Sequence, residues 1–289
     1  MTGPGGDPYE PSPPELRPLR SAAELRACVA LQRRTWGESF AEVVPPSLLL
    51  AVQRLGGVAA GAFAGHDAGG EGELVGFVFG VPGLEDGEPV HWSDMLAVGP
   101  GARDRGLGER LKRWQREEVL ARGFRVMRWT FDPLESRNAW LNLSRLGAVC
   151  REYVRDMYAD MDSPLHAGIG TDRLVVRWEL DSPRVRRRLA GQDAPAAPGD
   201  LAGVPLLNRI VRDSPEPACA ACDLALDAPR LLLAIPADIQ RLKNASPEVA
   251  RAWRAETRAG FLSYFQRGYT ATALVRFGDW SAYVLERAR

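Results

Sequence analysis

The fold is decided by the stretch Leu96-Ala97-Val98-Gly99-Pro100-Gly101-Ala102-Arg103-Asp104-Arg105-Gly106-Leu107-Gly108. It predicts a strand, then a tight turn rich in glycine and arginine, then the start of a helix. A helix N-terminus offers free backbone N–H groups, and its dipole favours negative charge there. Arg103 and Arg105 add positive charge, and Gly106 and Gly108 lack the Cβ that would keep a phosphate away from the main chain. The stretch therefore predicts a loop that binds a pyrophosphate.

The helix after this turn is amphipathic, because Leu107, Leu111 and Trp114 recur at i, i+4 and i+7. Lys112 lies off this apolar stripe, and we expect it either on the solvated face or beside the anion site. Before the turn, Trp92–Val98 is predicted to be a strand, and Val126–Phe131 is the next strand after the helix.

The remaining pattern predicts a mixed α/β fold in which strands and helices follow the order β-α-α-β-β-β-α-β-α-β-β. Ser21 and Glu24 form a capping box ahead of the first helix. A short helix over Asn138–Leu146 is closed by Gly147. Strands are expected over Val149–Tyr158 and Leu174–Leu180.

We divide the chain into a flexible tail (1–14), a main domain (15–180), a linker (181–203) and a smaller C-terminal unit (204–289). In that unit Val204–Val211 and Leu231–Ile235 are predicted strands. Ser246-Pro247 starts a long helix that ends at Gly268, and a hairpin follows it. This strand-helix-strand-strand run repeats the run over 126–180. Either the second half of the main domain is duplicated without the phosphate turn, or the two pieces are unrelated.

Composition excludes several classes of function. The 289 residues carry 37 basic and 37 acidic side chains, so the formal net charge is zero, which argues against nucleic-acid and membrane partners. No apolar run is long enough for a transmembrane helix, and the N-terminus does not resemble a secretory signal. We therefore expect a cytoplasmic protein.

No metal site is expected from the cysteines and histidines. Cys219 and Cys222 have the C-x-x-C spacing, but no second pair completes a zinc site, so we interpret them as an incidental pair in a loop. His66, His91 and His166 are isolated from one another in the sequence.

In this context Arg103-x-x-Gly106-x-Gly108 resembles the acyl-CoA motif of GNAT N-acyltransferases, and the resemblance covers about residues 15–180. It implies that acyl-CoA (acetyl-CoA or succinyl-CoA) is the co-substrate. The amides of Arg103, Asp104, Arg105, Gly106, Leu107 and Gly108 would hold its pyrophosphate, and the main chain of Leu96, Ala97 and Val98 would pair with pantetheine. Asn138 matches an asparagine that commonly contacts pantetheine in this family, although it could also be a helix cap.

The implied reaction is direct attack of an amine on the thioester, which requires a base, an oxyanion donor and an acid for the thiolate. A backbone N–H near Leu96–Val98 is the expected oxyanion donor. Asp94 is the first candidate base, ahead of Glu38 and His91. Many family members use a tyrosine as the acid at the position of Leu143 here, so Tyr153 and Tyr158 are the substitutes, with water as the alternative.

Several further motifs resemble a subgroup of larger GNAT proteins that includes amino-acid N-succinyltransferases; they are Asp132-Pro133-Leu134, Asn138-Ala139, Asn142, Leu146-Gly147, Thr171-Asp172-Arg173-Leu174, Trp253-Arg254 and Gly268-Tyr269. The resemblance implies a small amine or amino-acid acceptor, with Arg137 and Arg173 as candidate carboxylate partners. Two alternatives remain: an acetyltransferase of a protein N-terminus or other amine, and a CoA-binding regulatory protein without turnover. The C-terminal unit would cover the acceptor site or make a homodimer.

Overall fold

A computed structural model describes residues 12–38, 40–65, 72–158, 168–212 and 216–287. Most of the predicted tail, together with His66 and His166, lies outside these residues. The chain divides into two compact units, the first formed by 1–82 and 93–122 and the second by 83–92 and 123–289. The predicted boundaries at 15–180 and 204–289 do not coincide with this division, and they stay a prediction.

Unit 1 contains the predicted turn. Its helices are α1 (Ala22–Trp36), α2 (Pro46–Arg54) and α3 (Leu107–Ala121). Its strands are β1 (Glu15–Pro18), β2 (Val58–Ala64), most of β3 (Glu73–Glu85) and the C-terminal half of β4 (Glu88–Val98), in that order across the sheet. The antiparallel pairs β1–β2 and β2–β3 place alternate side chains on a shared apolar core.

The N-terminus of α1 is capped as the sequence predicts. The Ser21 hydroxyl accepts a hydrogen bond from the Glu24 amide at 3.1 Å, and the Glu24 carboxylate accepts from the Ser21 amide at 3.3 Å. This capping box is confirmed. Leu31 and Phe77 are fully buried in the core beneath it.

Unit 2 contains the rest of the sheet. Its strands are β5 (Val126–Phe131), β6 (Val149–Val154), β7 (Arg173–Glu179), β10 (Arg230–Pro236), β11 (Tyr269–Arg276) and β12 (Trp280–Arg287). They follow the order β5-β7-β6-β11-β12-β10, and neighbours in this order are antiparallel. The first half of β4 pairs with β5 in parallel, over Val90–Trp92 and Val126–Arg128. The predicted mixed α/β class with a mostly antiparallel sheet flanked by helices is confirmed.

The helices of unit 2 are α4 (Ser136–Ala139), which continues as a π-helix over Trp140–Arg145, α5 (Pro183–Leu189), α6 (Ile239–Ala245) and α7 (Pro247–Gln266). The two short strands β8 (Ile210–Val211) and β9 (Ala218–Cys219) form a separate pair. A 3-10 turn covers Pro198–Leu201.

The two suspected repeats share one topology. In each, the first strand pairs with the third and the third pairs with the second, which gives β5-β7-β6 and, reversed, β11-β12-β10. Each second strand follows a left-handed glycine, Gly147 or Gly268, and each has a bulge four residues later. Cys150 and Ala271, three residues after those glycines, pair with each other where the repeats meet. A duplication of the second half of the main domain would require this agreement in strand order, glycine position and bulge position.

Three local predictions need correction. The helix expected from Asn138 begins at Ser136 and is mostly π-helical, so Asn138 is not its cap. The strand expected over Val204–Val211 is reduced to one bridge between Leu206 and Leu232 of β10 and to the short β8, which pairs with β9. The predicted linker contains α5, whose Arg184 donates to the carbonyls of Gly147 and Thr272.

Candidate active site: an anion-binding loop

The predicted turn has the geometry of an open helix N-terminus. β4 ends at Val98, Pro100–Ala102 form one 3-10 turn, and α3 begins at Leu107. Gly106 is the N-cap with φ 72°, and Asp104 also has a left-handed backbone with φ 63°. When right-handed and left-handed backbone conformations alternate in neighbouring residues, successive N–H groups point to the same side, as in anion-binding nests.

The main-chain hydrogen bonds divide this loop into a closed and an open half. In the closed half the Ala102 amide donates to Gly99 at 3.0 Å and the Arg103 amide donates to Pro100 at 3.4 Å. In the open half, the amides of Arg105–Gly108 find no acceptor among the residues that the structure describes. Orphan amides at a helix start are satisfied by water or by a ligand. The open half is therefore the part that can receive an anion.

The two glycines of the motif differ in what they do. Gly106 needs its left-handed backbone, which a side chain would strain. At Gly108 a Cβ would meet only Leu96 Cδ2, at an ordinary 3.7 Å, so the fold itself does not require glycine there. A glycine that packing does not demand leaves room for a ligand against the backbone.

The charge around the loop is positive and exposed. Arg103 and Arg105 are both exposed, and the Arg103 guanidinium folds back so that Nε donates to the Val98 carbonyl at 3.1 Å. Neither arginine forms an ion pair among the described residues. The acidic Glu109 in the first turn of α3 is bound by Arg113 at 2.8 Å, so the loop keeps a positive balance.

Lys112 is not on the solvated face, so the first of the two alternatives expected for it is wrong. The side chain is buried, and Nζ donates to Ser93 Oγ on β4 at 2.6 Å. Ser93 in turn donates to Gln115 Oε1 at 2.9 Å. Burial lowers the pKa of Lys112 to about 7. The sequence around Lys112 does not indicate its burial, because the residue that it contacts, Ser93 on β4, is 19 residues away in the sequence.

The structure puts Leu96, Ala97 and Val98 at the end of β4, next to the loop, as predicted. Ala97 is buried and its neighbours are half-buried. Asp94 is exposed, and the burial alternation places it on the same face of β4 as Leu96. His91, the weaker candidate base, is fully buried and packs edge-on against Phe124.

Unit 2 holds the other predicted residues. Asn138 is exposed in α4, and Leu143 is fully buried in the π-helix that follows. Helix α4 is short, and a π-helical continuation of this kind is rare and frequently found at functional sites. Asn138 is therefore accessible to a ligand, while Leu143 serves the core.

Tyr153 is tied into a buried ion-pair cluster. Its hydroxyl donates to Asp172, and its ring stacks on Phe261 at 5.6 Å. Asp172 also accepts from Arg258 at 2.6 and 2.7 Å. Burial and the hydrogen bond to Asp172 raise the pKa of Tyr153. Burial pushes the pKa of Asp172 upward, but the bonds from Arg258 and Tyr153 bring it below its ordinary value.

Tyr158 is the more available of the two tyrosines. It is half-buried, and its hydroxyl lies 3.3 Å from Thr130 Oγ1 at the end of β5. The Arg173 guanidinium lies over the ring, 5.0 Å from its centroid. The guanidinium and the ring therefore form a cation–π contact.

A second buried ion pair was not foreseen from the sequence. Arg254 on α7 contacts Asp132, just after β5, through two hydrogen bonds of 2.7 and 2.8 Å, and each side chain is at most 4% exposed. Tyr283 donates to the Pro133 carbonyl beside it, and Ser136 contacts Ser281 at 2.8 Å. Helix α7 and strand β12 thus hold the turn between β5 and α4, just before Asn138.

Comparison with known proteins identifies this arrangement. Residues 26–143 match the model of the acetyltransferase (GNAT) family. This segment has the GNAT acyltransferase fold. It covers less than half of the chain and includes β4, the open loop and α3, as the motif in 103–108 implied. GNAT enzymes transfer an acyl group from acyl-CoA to an amine.

Solved structures with a similar fold cover little more than half of this chain. An aminoglycoside 6'-N-acetyltransferase from Enterococcus faecium is 15% identical over 58% of this chain and 98% of its own, with a TM-score of 0.42. The ribosomal-protein-S18-alanine N-acetyltransferase from Escherichia coli is 15% identical over 58% and 94%, with a TM-score of 0.41. A GNAT-family acetyltransferase from Streptococcus pneumoniae is 16% identical over 56% and 97%, with a TM-score of 0.43. No curated protein matches the chain.

Two further findings concern only the part of the chain that the structure describes. None of its helices combines the length and the apolar character needed to cross a bilayer. No three of its His, Cys, Asp and Glu side chains come together as a metal site would require. Cys222, from the C-x-x-C pair, instead has its Sγ 3.2 Å from the Glu256 carbonyl.

Proposed function

We propose that the chain is an acyl-CoA-dependent N-acyltransferase in which the amides of Arg105–Gly108 bind the CoA pyrophosphate. The observation that carries this proposal is the open half of the loop, where these amides have no acceptor among the described residues. Arg103 and Arg105 add charge-assisted contacts to the phosphates. The Arg103 amide, also predicted to bind, already donates within the 3-10 turn, so its contribution comes from the guanidinium.

The roles of three further residues are carried over from the resemblance. Asn138 contacts pantetheine, and its exposure supports this. Asp94 takes a proton from the acceptor's ammonium group, directly or through water, and the neutral amine then attacks the thioester. The exposed position of Asp94 on the Leu96 face of β4 supports that role. Tyr158 returns a proton to the CoA thiolate, since Tyr153 already donates its proton to Asp172.

The acceptor is proposed to be an amine of a small molecule, an amino acid or a polypeptide N-terminus. The donor is acetyl-CoA or succinyl-CoA. Arg173 beside Tyr158 gives succinyl transfer to an amino acid a chemical rationale, because the succinyl donor and the amino-acid acceptor each carry a free carboxylate that suits a guanidinium partner.

Thiol release from acetyl-CoA and succinyl-CoA with a panel of amines tests the assignment. Gly106→Ala and Gly123→Ala form a matched pair, because both glycines have positive φ, 72° and 90°, and open space around a Cβ. They lie at opposite ends of α3. We expect similar losses of stability in both, but a loss of CoA binding only in Gly106→Ala.

A tyrosine pair tests the acid. Tyr158→Phe should lower kcat about a hundredfold if it protonates the thiolate, whereas Tyr153→Phe should mainly lower stability. Full turnover in both variants would eliminate the tyrosine acid and leave water. Tight CoA binding without thiol release by any acceptor would contradict the enzyme and favour a CoA-binding regulator.

A further inference from the structure

A groove on α1 of unit 1 is lined by arginines that the proposed CoA loop does not use. Its volume is about 350 Å³, and its lining residues are Arg26, Val29, Ala30, Arg33, Arg34, Glu38 and Pro46. Pockets that bind small ligands begin at roughly 300 Å³. The groove is therefore large enough to hold part of an extended ligand.

The groove has a cationic rim and an apolar floor. Arg26, Arg33 and Arg34 are exposed, and none of them forms an ion pair among the described residues. Val29 and Pro46 are half-buried and form the apolar part of the lining. Guanidinium groups outnumber the single carboxylate of Glu38, so the groove favours a ligand with more than one negative charge.

Helix electrostatics explains only part of this charge. Arg33 and Arg34 lie in the last turn of α1, where cations are favourable. Arg26 lies in the second turn, where the dipole gives no reason for a cation. The arginines at 26 and 33 are about 10 Å apart along the helix axis. A single carboxylate or phosphate does not span that distance, whereas acidic residues three apart in an extended peptide do.

We infer that this groove binds an acidic segment of a polypeptide, which makes an acidic polypeptide the acceptor class of the proposed transferase. This inference rests on the proposed function. The chain's zero net charge favours a local acidic peptide over a nucleic acid. Helix α1 also packs against the start of the CoA loop, because Leu31 Cδ1 lies 3.7 Å from where a Cβ of Gly99 would be.

The test separates binding from transfer. Fluorescence anisotropy would measure the full-length protein with three eight-residue peptides that share a free N-terminus and carry four glutamates, four glutamines or four lysines. An eight-nucleotide RNA is the fourth probe. We expect the glutamate peptide to bind most tightly, and its affinity to fall with salt.

Substitution of the groove arginines tests whether the peptide binds in the groove. Each of Arg26→Gln, Arg33→Gln and Arg34→Gln should weaken the glutamate peptide about fivefold, and the triple variant roughly a hundredfold. Arg54→Gln, on the exposed surface of α2 and outside the groove, is the matched control and should bind as the wild type does. Thermal unfolding would show that all variants are folded.

Equal binding of the glutamate and glutamine peptides, no binding at all, an unchanged triple variant, or tighter binding of RNA would each overturn the inference. The same peptides with acetyl-CoA in a thiol-release assay then report on the proposed function. Binding without thiol release would leave the acidic-segment groove standing and contradict the transferase. Thiol release at equal rates with the glutamate and glutamine peptides, which offer the same single amine, would support the transferase and contradict the groove.

Discussion

Helix α3 of unit 1 has 15 residues and helix α7 of unit 2 has 20. Their N-termini, and the arginines near them, have different surroundings. α3 starts at the left-handed Gly106 with amides that lack acceptors among the described residues. α7 starts at Ser246-Pro247, where proline has no N–H and Glu248 already supplies negative charge. Ser246 also donates its amide to Leu242 of the preceding helix. At the start of α3 the amides of Arg105–Gly108 have no acceptor among the described residues, whereas at the start of α7 the proline removes one donor and the Ser246 amide is already bonded.

The arginines show the same contrast. Arg103 and Arg105 before α3 are exposed and carry no ion pair among the described residues, whereas Arg254 and Arg258 on α7 each bind one carboxylate through two hydrogen bonds. An arginine bound to a buried carboxylate holds the fold, and one whose guanidinium faces solvent can bind a ligand. This difference predicts which substitutions lower the stability of the fold and which weaken CoA binding.

The largest effect is expected at α7. Arg254→Met leaves Asp132 buried without its cation, which should cost about 3–5 kcal/mol of unfolding free energy in urea titrations. Arg251→Met, an exposed arginine of the same helix, is the control. The double variant Asp132→Asn/Arg254→Met should recover most of the loss. A small effect of Arg254→Met alone would show that the ion pair is not what secures the β5–α4 turn.

The next effect concerns the buried face of α3. The pKa of Lys112 is lowered to about 7 when folded, against roughly 10.4 when unfolded. Between these values the unfolded chain binds more protons, so stability should rise with pH by up to about 1.4 kcal/mol per unit. Lys112→Met should be more stable at pH 7 and lose that slope in denaturation between pH 6 and 10. A slope that survives the substitution would assign it to other groups.

A smaller effect is expected from the exposed arginines of the loop. Arg103→Gln and Arg105→Gln should each weaken CoA binding several-fold, and the loss should shrink at high salt because exposed charges are screened. Neither should change the unfolding free energy by more than about 0.5 kcal/mol. A large loss of stability in Arg105→Gln would make it a structural arginine like those of α7.

Local chemistry explains what the sequence predicted well. The capping box at Ser21 and the helix-ending glycines at 147 and 268 are each specified by a few neighbouring residues, and the structure has them all. The candidate loop was predictable for the same reason, including its open amides.

Long-range packing explains what was missed. Asp132 and Arg254 are 122 residues apart in sequence, and neither residue's neighbours indicate the pairing. Lys112 is similarly buried only because β4 supplies Ser93. The predicted strand Val204–Val211 has a suitable apolar pattern, but strand pairing depends on which edge is available, and a pattern within one segment cannot show that.

The most direct measurement is calorimetric titration of CoA into the wild type and Gly108→Ala, paired with urea unfolding of both. Alanine fits this position without strain, so the variant should be more stable by about 0.5–1 kcal/mol. The same methyl group would stand where the pyrophosphate approaches the backbone, and CoA binding should fall at least tenfold. A more stable variant that binds CoA like the wild type would contradict the assignment of this loop.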